Sequence, residues 1–379
     1  MKALSLLRRL GFFLLTLVLI DMVGQFVLAD RLAQSLGTRL PENQETGFLQ
    51  GFIDRLEAES GQEQASASPE MHTGIYPTQL VFLGSSPTWG VTIRDPNHTY
   101  PAAFQAAQEE TLPLLSVHNF AAKGFLAADL NTVLGATLNT AEGFVIQLNY
   151  HTFSPKLLGS TPIRHPDLPE RLGVPVTADE AKMLGMRPTP VLNWNASLRA
   201  GLRRIWWFYR EREKLALLAL GATPESWVYH RFYPEKPAEE IPEAKPFYEL
   251  KPARQLYIVK RYAENASYEL DDLNIELRFV KIMLARLKAA HKPAVFFIAP
   301  INVDSLRFYE VMDWKQYRRN MDKLRKVVEA EGFKFVDINL TEPLPEDAFA
   351  DISHTLDNGG QAFGKKLWAL SRDYFEKRL

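Results

Sequence analysis

The sequence has 379 residues, of which 46% are apolar, 23% charged and 11% aromatic, a composition that excludes a disordered chain, a collagen-like repeat and a small disulfide-stapled module. Its 44 Lys and Arg nearly balance 45 Asp and Glu, for a net charge of -1, so no overall field gathers phosphate backbones and no nucleic-acid partner is expected. With no cysteine, catalysis falls to hydroxyls, carboxylates, lysines and eight histidines.

The chain opens with Lys2, Arg8 and Arg9 ahead of an apolar run over residues 10–29 whose one charge is Asp21. About 20 such residues suffice for a helix to cross roughly 30 Å of hydrocarbon, and basic residues before the run hold the N-terminus in the cytoplasm. The expected arrangement is a single-pass transmembrane anchor in the cell membrane, with everything after it extracytoplasmic. A cleaved signal peptide is the competing reading, because Val27-Leu28-Ala29 has the small-x-small pattern of a cleavage site. Residues 30–75 are polar and mixed, with SGQEQASASPE at 60–70 reading as a flexible surface stretch, and the whole of 30–75 reads as a juxtamembrane stem.

From residue 76 onward, short apolar runs alternate with helical patterns. The runs are QLVFLG (79–84), LPLLSV (112–117), FVIQLNY (144–150), AVFFIAP (294–300) and FKFVDI (333–338). Apolar runs without alternation suit strands covered on both faces, and helices between them argue for βαβ crossovers. Helices are expected at about 101–110, 120–137, 268–290, 314–330 and 359–376, the third with Leu270, Leu273, Leu277 and Val280 at helical spacing. The fold class is therefore α/β, a doubly wound five-stranded parallel sheet over 76–379. The proline-rich stretch from about 155 to 260 breaks the rhythm and reads as an inserted, mainly helical region. Within it, 197–221 is expected to be a helix whose Trp206, Trp207, Phe208 and Tyr209 serve core packing, a partner or membrane interface, or a substrate platform.

Ligands of an open parallel sheet bind at the carboxyl ends of its strands. The first run ends in Gly84-Ser85-Ser86-Pro87, a turn that lifts a serine hydroxyl off the sheet edge, and the last is followed by Asp351-Ile352-Ser353-His354. A carboxylate three residues before a histidine can hold one imidazole nitrogen while the other faces the hydroxyl, which is the base-and-orienter logic of nucleophilic catalysis. Ser86 and Ser85 compete as nucleophile. His98, His118 and His151 also lie near strand ends, yet no pair has the spacing of a metal site. Asn302 and Asp304 can line a pocket or terminate the fourth strand.

Gly84-Ser85-Ser86 resembles the glycine-x-serine block that opens the SGNH (GDSL-type) hydrolases, and Asp351 to His354 resembles their closing Asp-x-x-His block. Ser85 stands where that family usually has an acidic residue. The N-terminal anchor and the insertion make the chain look more like the superfamily's membrane-anchored acyl-transfer branch, which includes the D-alanyl transfer protein DltD and the alginate O-acetylation proteins. FFIAPINVDSLRFYE at 296–310 and EGFKFVDI at 331–338 add to that likeness.

The resemblance implies Ser86 as nucleophile, His354 as base and Asp351 as its orienter. It implies a second-block glycine holding the oxyanion through its N–H, for which Gly124 is the candidate, with Asn119 close by. It also implies a third-block asparagine, for which Asn149 is the candidate, although the glycine of that block is missing. No cofactor or metal is implied. The implied partners are a multipass membrane O-acyltransferase and an envelope polysaccharide acceptor. A membrane-tethered esterase and a noncatalytic scaffold that binds glycan are the alternatives.

Overall fold

The computed structural model describes residues 78–109, 115–158, 162–166, 168–186 and 244–379, together with positions 16, 19, 21, 23, 206, 208 and 215. The chain runs through β1 (Thr78–Leu83), α1 (Ser86–Trp89), α2 (Tyr100–Glu109), β2 (Leu115–Asn119), α3 (Ala127–Thr137) and β3 (Gly143–Leu148). Three short helices follow, α4 (Pro155–Leu158), α5 (Leu168–Leu172) and α6 (Ala178–Leu184). The second half comprises α7 (Pro252–Ala266), α8 (Ile275–Ala289), β4 (Ala294–Ile298), α9 (Val303–Phe308), α10 (Trp314–Ala330), β5 (Lys334–Val336) and α11 (Asp357–Glu376).

All five strands pair in parallel in the order β2-β1-β3-β4-β5. The central strands are apolar on both faces because both are covered. Val81, Leu83, Phe144 and Ile146 face a cluster that includes Val133 and Leu134 of α3, Phe279 and Met283 of α8 and Leu324 of α10. Leu80, Phe82, Val145 and Phe297 face Tyr100 and Phe104 of α2 and Phe363, Leu367 and Trp368 of α11. The strand order reverses between β1 and β3, so the crevice expected of such a sheet opens at their carboxyl ends.

The close approach of α2 and α11 rests on a glycine. A Cβ at Gly364 would come within 2.6 Å of both the Tyr100 carbonyl oxygen and the Ala103 methyl. Aromatic edges then fill the seam, with Tyr100 and Phe363 ring centroids 4.7 Å apart and Phe104 and Trp368 5.2 Å apart.

Three boundaries differ from those expected. The helix expected over 120–137 begins only at Ala127, where the Asp129 carboxylate accepts the Leu126 N–H at 3.0 Å; residues 120–126 form the loop after β2. The helix expected over 268–290 starts at Ile275, because Asn274 accepts the Leu277 N–H at 3.1 Å and caps it. Leu273 is consequently 80% exposed rather than on a buried stripe. Residues 252–266 form α7, which starts within the expected insertion, runs past its expected end at about 260, and seats Val259 and Tyr262 in the core.

Most of the apolar run at 10–29, all of 30–75 and most of 187–243 lie outside the described residues. Thr16, Leu19, Asp21 and Val23 are helical. The Phe208 N–H donates to the Asp21 carboxylate at 2.7 Å, joining the apolar run to the aromatic stretch. No helix among the described residues is long and apolar enough to cross a membrane.

Candidate active site

The turn after β1 is built by exclusion and by one buried amide. A Cβ at Gly84 would lie 2.6 Å from the Thr88 side chain and 2.7 Å from Gln147 Oε1, so the turn closes only with glycine. Pro87 fixes φ at the second residue of α1, and Gly90 ends the helix in the left-handed conformation at φ 84°. Gln147, buried in β3, accepts from Ser85 N at 3.2 Å, from Thr88 N at 3.0 Å and from the Thr88 hydroxyl. Its amide nitrogen donates to Ser85 Oγ at 3.2 Å and to Asn149 Oδ1.

This network separates the two serines. Ser85 is buried, and its hydroxyl also accepts from Asn149 Nδ2. Ser86 is only half-buried, and its Oγ lies 2.9 Å from His354 Nε2. On the far side of the ring, His354 Nδ1 is 2.7 Å from Asp351 Oδ2. The carboxylate fixes the proton on Nδ1, which leaves Nε2 to accept from the serine.

The loop that carries His354 is held at several points. Asp351 Oδ1 accepts from Ser353 N and His354 N, each at 2.8 Å, so one short side chain both shapes the turn and orients the ring. The loop closes through the Ala350 N–H to the His354 carbonyl at 2.9 Å and the antiparallel bridge between Phe349 and Thr355. From the serine side, Thr92 Oγ1 donates to the Thr355 carbonyl at 2.7 Å. Asp357, the first residue of α11, accepts from Arg94 N at 2.8 Å and Asp95 N at 3.1 Å, and its carboxylate lies 3.1 Å from His98 Nδ1. Segments that follow the first and last strands are thereby stitched together around the Ser86–His354 contact.

Burial disfavours charge on both ring and carboxylate, but their mutual attraction outweighs it. Asp351 is held below the usual carboxylate range by the adjacent imidazole and the two loop N–H groups, and His354 is raised above its ordinary value by Asp351. Lys123 opposes the rise in His354.

The remaining sequence candidates fall into two groups. Gly124 sits after β2 with φ 75° and is exposed, and its N–H donates to no described residue. Asn119 and Asn149 have other tasks. Asn119 donates to the Thr88 carbonyl at 3.3 Å and accepts from Ala121 N at 3.1 Å, while Asn149 donates to Ser85. Asn302 accepts from Ser305 N at 3.0 Å, which caps α9, and donates its own N–H to the Ile352 carbonyl at 2.9 Å, which braces the histidine loop. Asp304 is exposed. His98 pairs with Asp357, and His118 bonds Gln79 and Ser116. No cluster of His, Asp or Glu among the described residues can hold a metal ion.

Sequence reasoning missed Gln147. The available signal was a polar amide in a wholly buried strand, which must find partners.

No family model matches the sequence, and no curated protein matches it. Among solved structures, the chain is similar to a catalytic mutant of Axe2, an acetylxylan esterase from Geobacillus stearothermophilus. The match has a TM-score of 0.37 and 10% identity, and covers 79% of this chain and 96% of that one.

Proposed function

We propose that this chain is a membrane-anchored, extracytoplasmic O-acyltransferase of the SGNH type. It moves an acyl group, acetyl or D-alanyl in kind, through Ser86 to a cell-envelope polysaccharide or teichoic-acid-like acceptor. The observation that supports this reading is the Ser86–His354–Asp351 relay, with 2.9 Å and 2.7 Å between successive partners. In the first half-reaction the Ser86 hydroxyl passes its proton to His354 Nε2 as its oxygen bonds to the acyl carbon of an activated ester or thioester. The Gly124 N–H holds the oxyanion. The donor's carbon–heteroatom bond then breaks, and His354 returns the proton to the leaving group.

In the second half-reaction an acceptor hydroxyl loses its proton to His354, attacks the acyl-serine and releases Ser86. An anchor at residues 10–29 would keep the site beside a multipass membrane O-acyltransferase that delivers the acyl group through the bilayer. Because Ser86 is only half-buried, water can reach it, and this favours a second reading, a tethered esterase that removes acyl groups.

Measuring acyl groups on surface glycan in cells carrying the wild-type chain or Ser86→Ala decides between the readings. Loss of acylation in the variant supports the transferase, and a gain supports the esterase. No change leaves the noncatalytic scaffold.

A further inference from the structure

A second imidazole stands at the carboxyl edge of the sheet, outside the relay. His151 belongs to the 3-10 turn Tyr150–Phe153 directly after β3, the strand that pairs with β1, so it borders the crevice where the strand order reverses. The residue is half-buried, and its ring contact among the described residues is with an aromatic side chain. The ring packs against Tyr262 of α7, with centroids 5.5 Å apart at 60°. Tyr262 directs no hydrogen bond at it, since the Tyr262 hydroxyl is buried without a partner. The contact therefore fixes the ring by packing while leaving its nitrogens available.

His151 lies close enough to His354 and Asp351 to feel both charges. Burial, and then repulsion from the His354 imidazolium, push its pKa down to about 4 against a smaller opposing pull from Asp351. At neutral pH the ring is uncharged and offers one N–H donor and one acceptor. Meanwhile the asparagine two residues earlier, the sequence candidate for stabilising the oxyanion, spends its amide on Ser85 Oγ and Gln147. The turn that follows β3 thus places an imidazole two residues beyond an amide already bonded to Ser85 and Gln147.

We propose that His151 is a further catalytic residue of this site, whose ring N–H donates to the acyl oxygen as the tetrahedral intermediate forms. The inference rests on the acyl-transfer reading. As the Ser86 Oγ–carbon bond forms, the carbonyl π pair moves onto oxygen, and the serine proton goes to His354 Nε2. His151 keeps its proton and supplies only a hydrogen bond, which a neutral imidazole can do without adding a second positive charge beside the His354 imidazolium.

The test uses the full-length chain, p-nitrophenyl acetate as acyl donor, and two variants that divide packing from donation. His151→Phe keeps a ring against Tyr262 and has no N–H, whereas His151→Gln keeps a donor. The expected result is a fall in kcat of about 100-fold for His151→Phe, with KM changed less than about threefold, and a smaller fall for His151→Gln. Thermal melting confirms that each variant is folded; His151→Leu, without a donor, replaces His151→Phe if that variant is not, and His151→Asn, with a donor, replaces His151→Gln. Equal losses in the two variants, or an undiminished kcat in His151→Phe, overturn the proposal. Labelling with a serine-directed fluorophosphonate separates the two failures. A wild-type chain that neither labels nor turns over the ester removes the acyl-transfer reading and this proposal together. Normal labelling beside an unchanged His151→Phe removes this proposal alone.

Discussion

Gln147 and Ser85 exchange hydrogen bonds in both directions: the Ser85 N–H donates to the glutamine oxygen at 3.2 Å, and the glutamine nitrogen donates to the Ser85 hydroxyl at 3.2 Å. One side chain of β3 thus fixes the backbone that presents Ser86. Gln147→Leu fills similar space but strands Ser85 N and Thr88 N in a buried turn. Unpaired buried groups cost about 1–3 kcal/mol each, so a loss of roughly 2–6 kcal/mol is expected in urea unfolding. A midpoint within error of the wild type would count against the pinned turn.

The helix seam makes a steric prediction. At Gly364 an added methyl meets the Tyr100 carbonyl at 2.6 Å, a backbone atom that cannot swing aside. Gly364→Ala should destabilise the chain by about 1–3 kcal/mol, although alanine is the better helix former, and thermal melting reads the sign.

Stability also depends on pH through Glu276, buried in α8, whose carboxyl accepts the Ala127 N–H. Burial, partly offset by that bond, raises its pKa from 4.5 to about 8. Between these values the native state binds the proton more tightly than the unfolded chain does, so this group's contribution is fully present below about 4.5 and is lost as pH rises through about 8. Glu276→Gln removes the titration. Melting temperatures of the two proteins should therefore diverge in favour of the variant between pH 5 and pH 9, and a constant gap would contradict the assignment.

Activity has the opposite dependence. His354 accepts the serine proton only when neutral, and Asp351 raises its pKa above 6.5, so turnover should be lost as pH falls through a value above 6.5. Asp351→Asn takes away the carboxylate that orients and charges the ring. A fall in kcat of about 10,000-fold is expected from the comparable change in other triads, with the acid limb moving to lower pH. A variant whose limb stays in place would dissociate Asp351 from the base.

Much of this architecture was legible because parallel strands covered on both faces must be apolar throughout, as Leu80 to Leu83 and Ala294 to Ile298 are. Ser86 and the Asp351–His354 pair were legible because their chemistry is carried by residue type and by a spacing of three. The boundary of α8 was not, since Leu270 and Leu273 continue a helical period that Asn274 interrupts by capping. Nor was the fate of Asn149. Its residue type suits an oxyanion donor, and only the fold reveals the partner across the turn, the Ser85 hydroxyl, to which its amide donates.

The central claim is that Ser86 is activated by His354, and mapping the site of fluorophosphonate modification by mass spectrometry tests it most directly. The account predicts an adduct on Ser86 in the wild-type chain, none in Ser86→Ala, and labelling slowed at least about 100-fold in His354→Ala, in keeping with a lost general base. An adduct on Ser85, or labelling of Ser86 at an undiminished rate without His354, would contradict it.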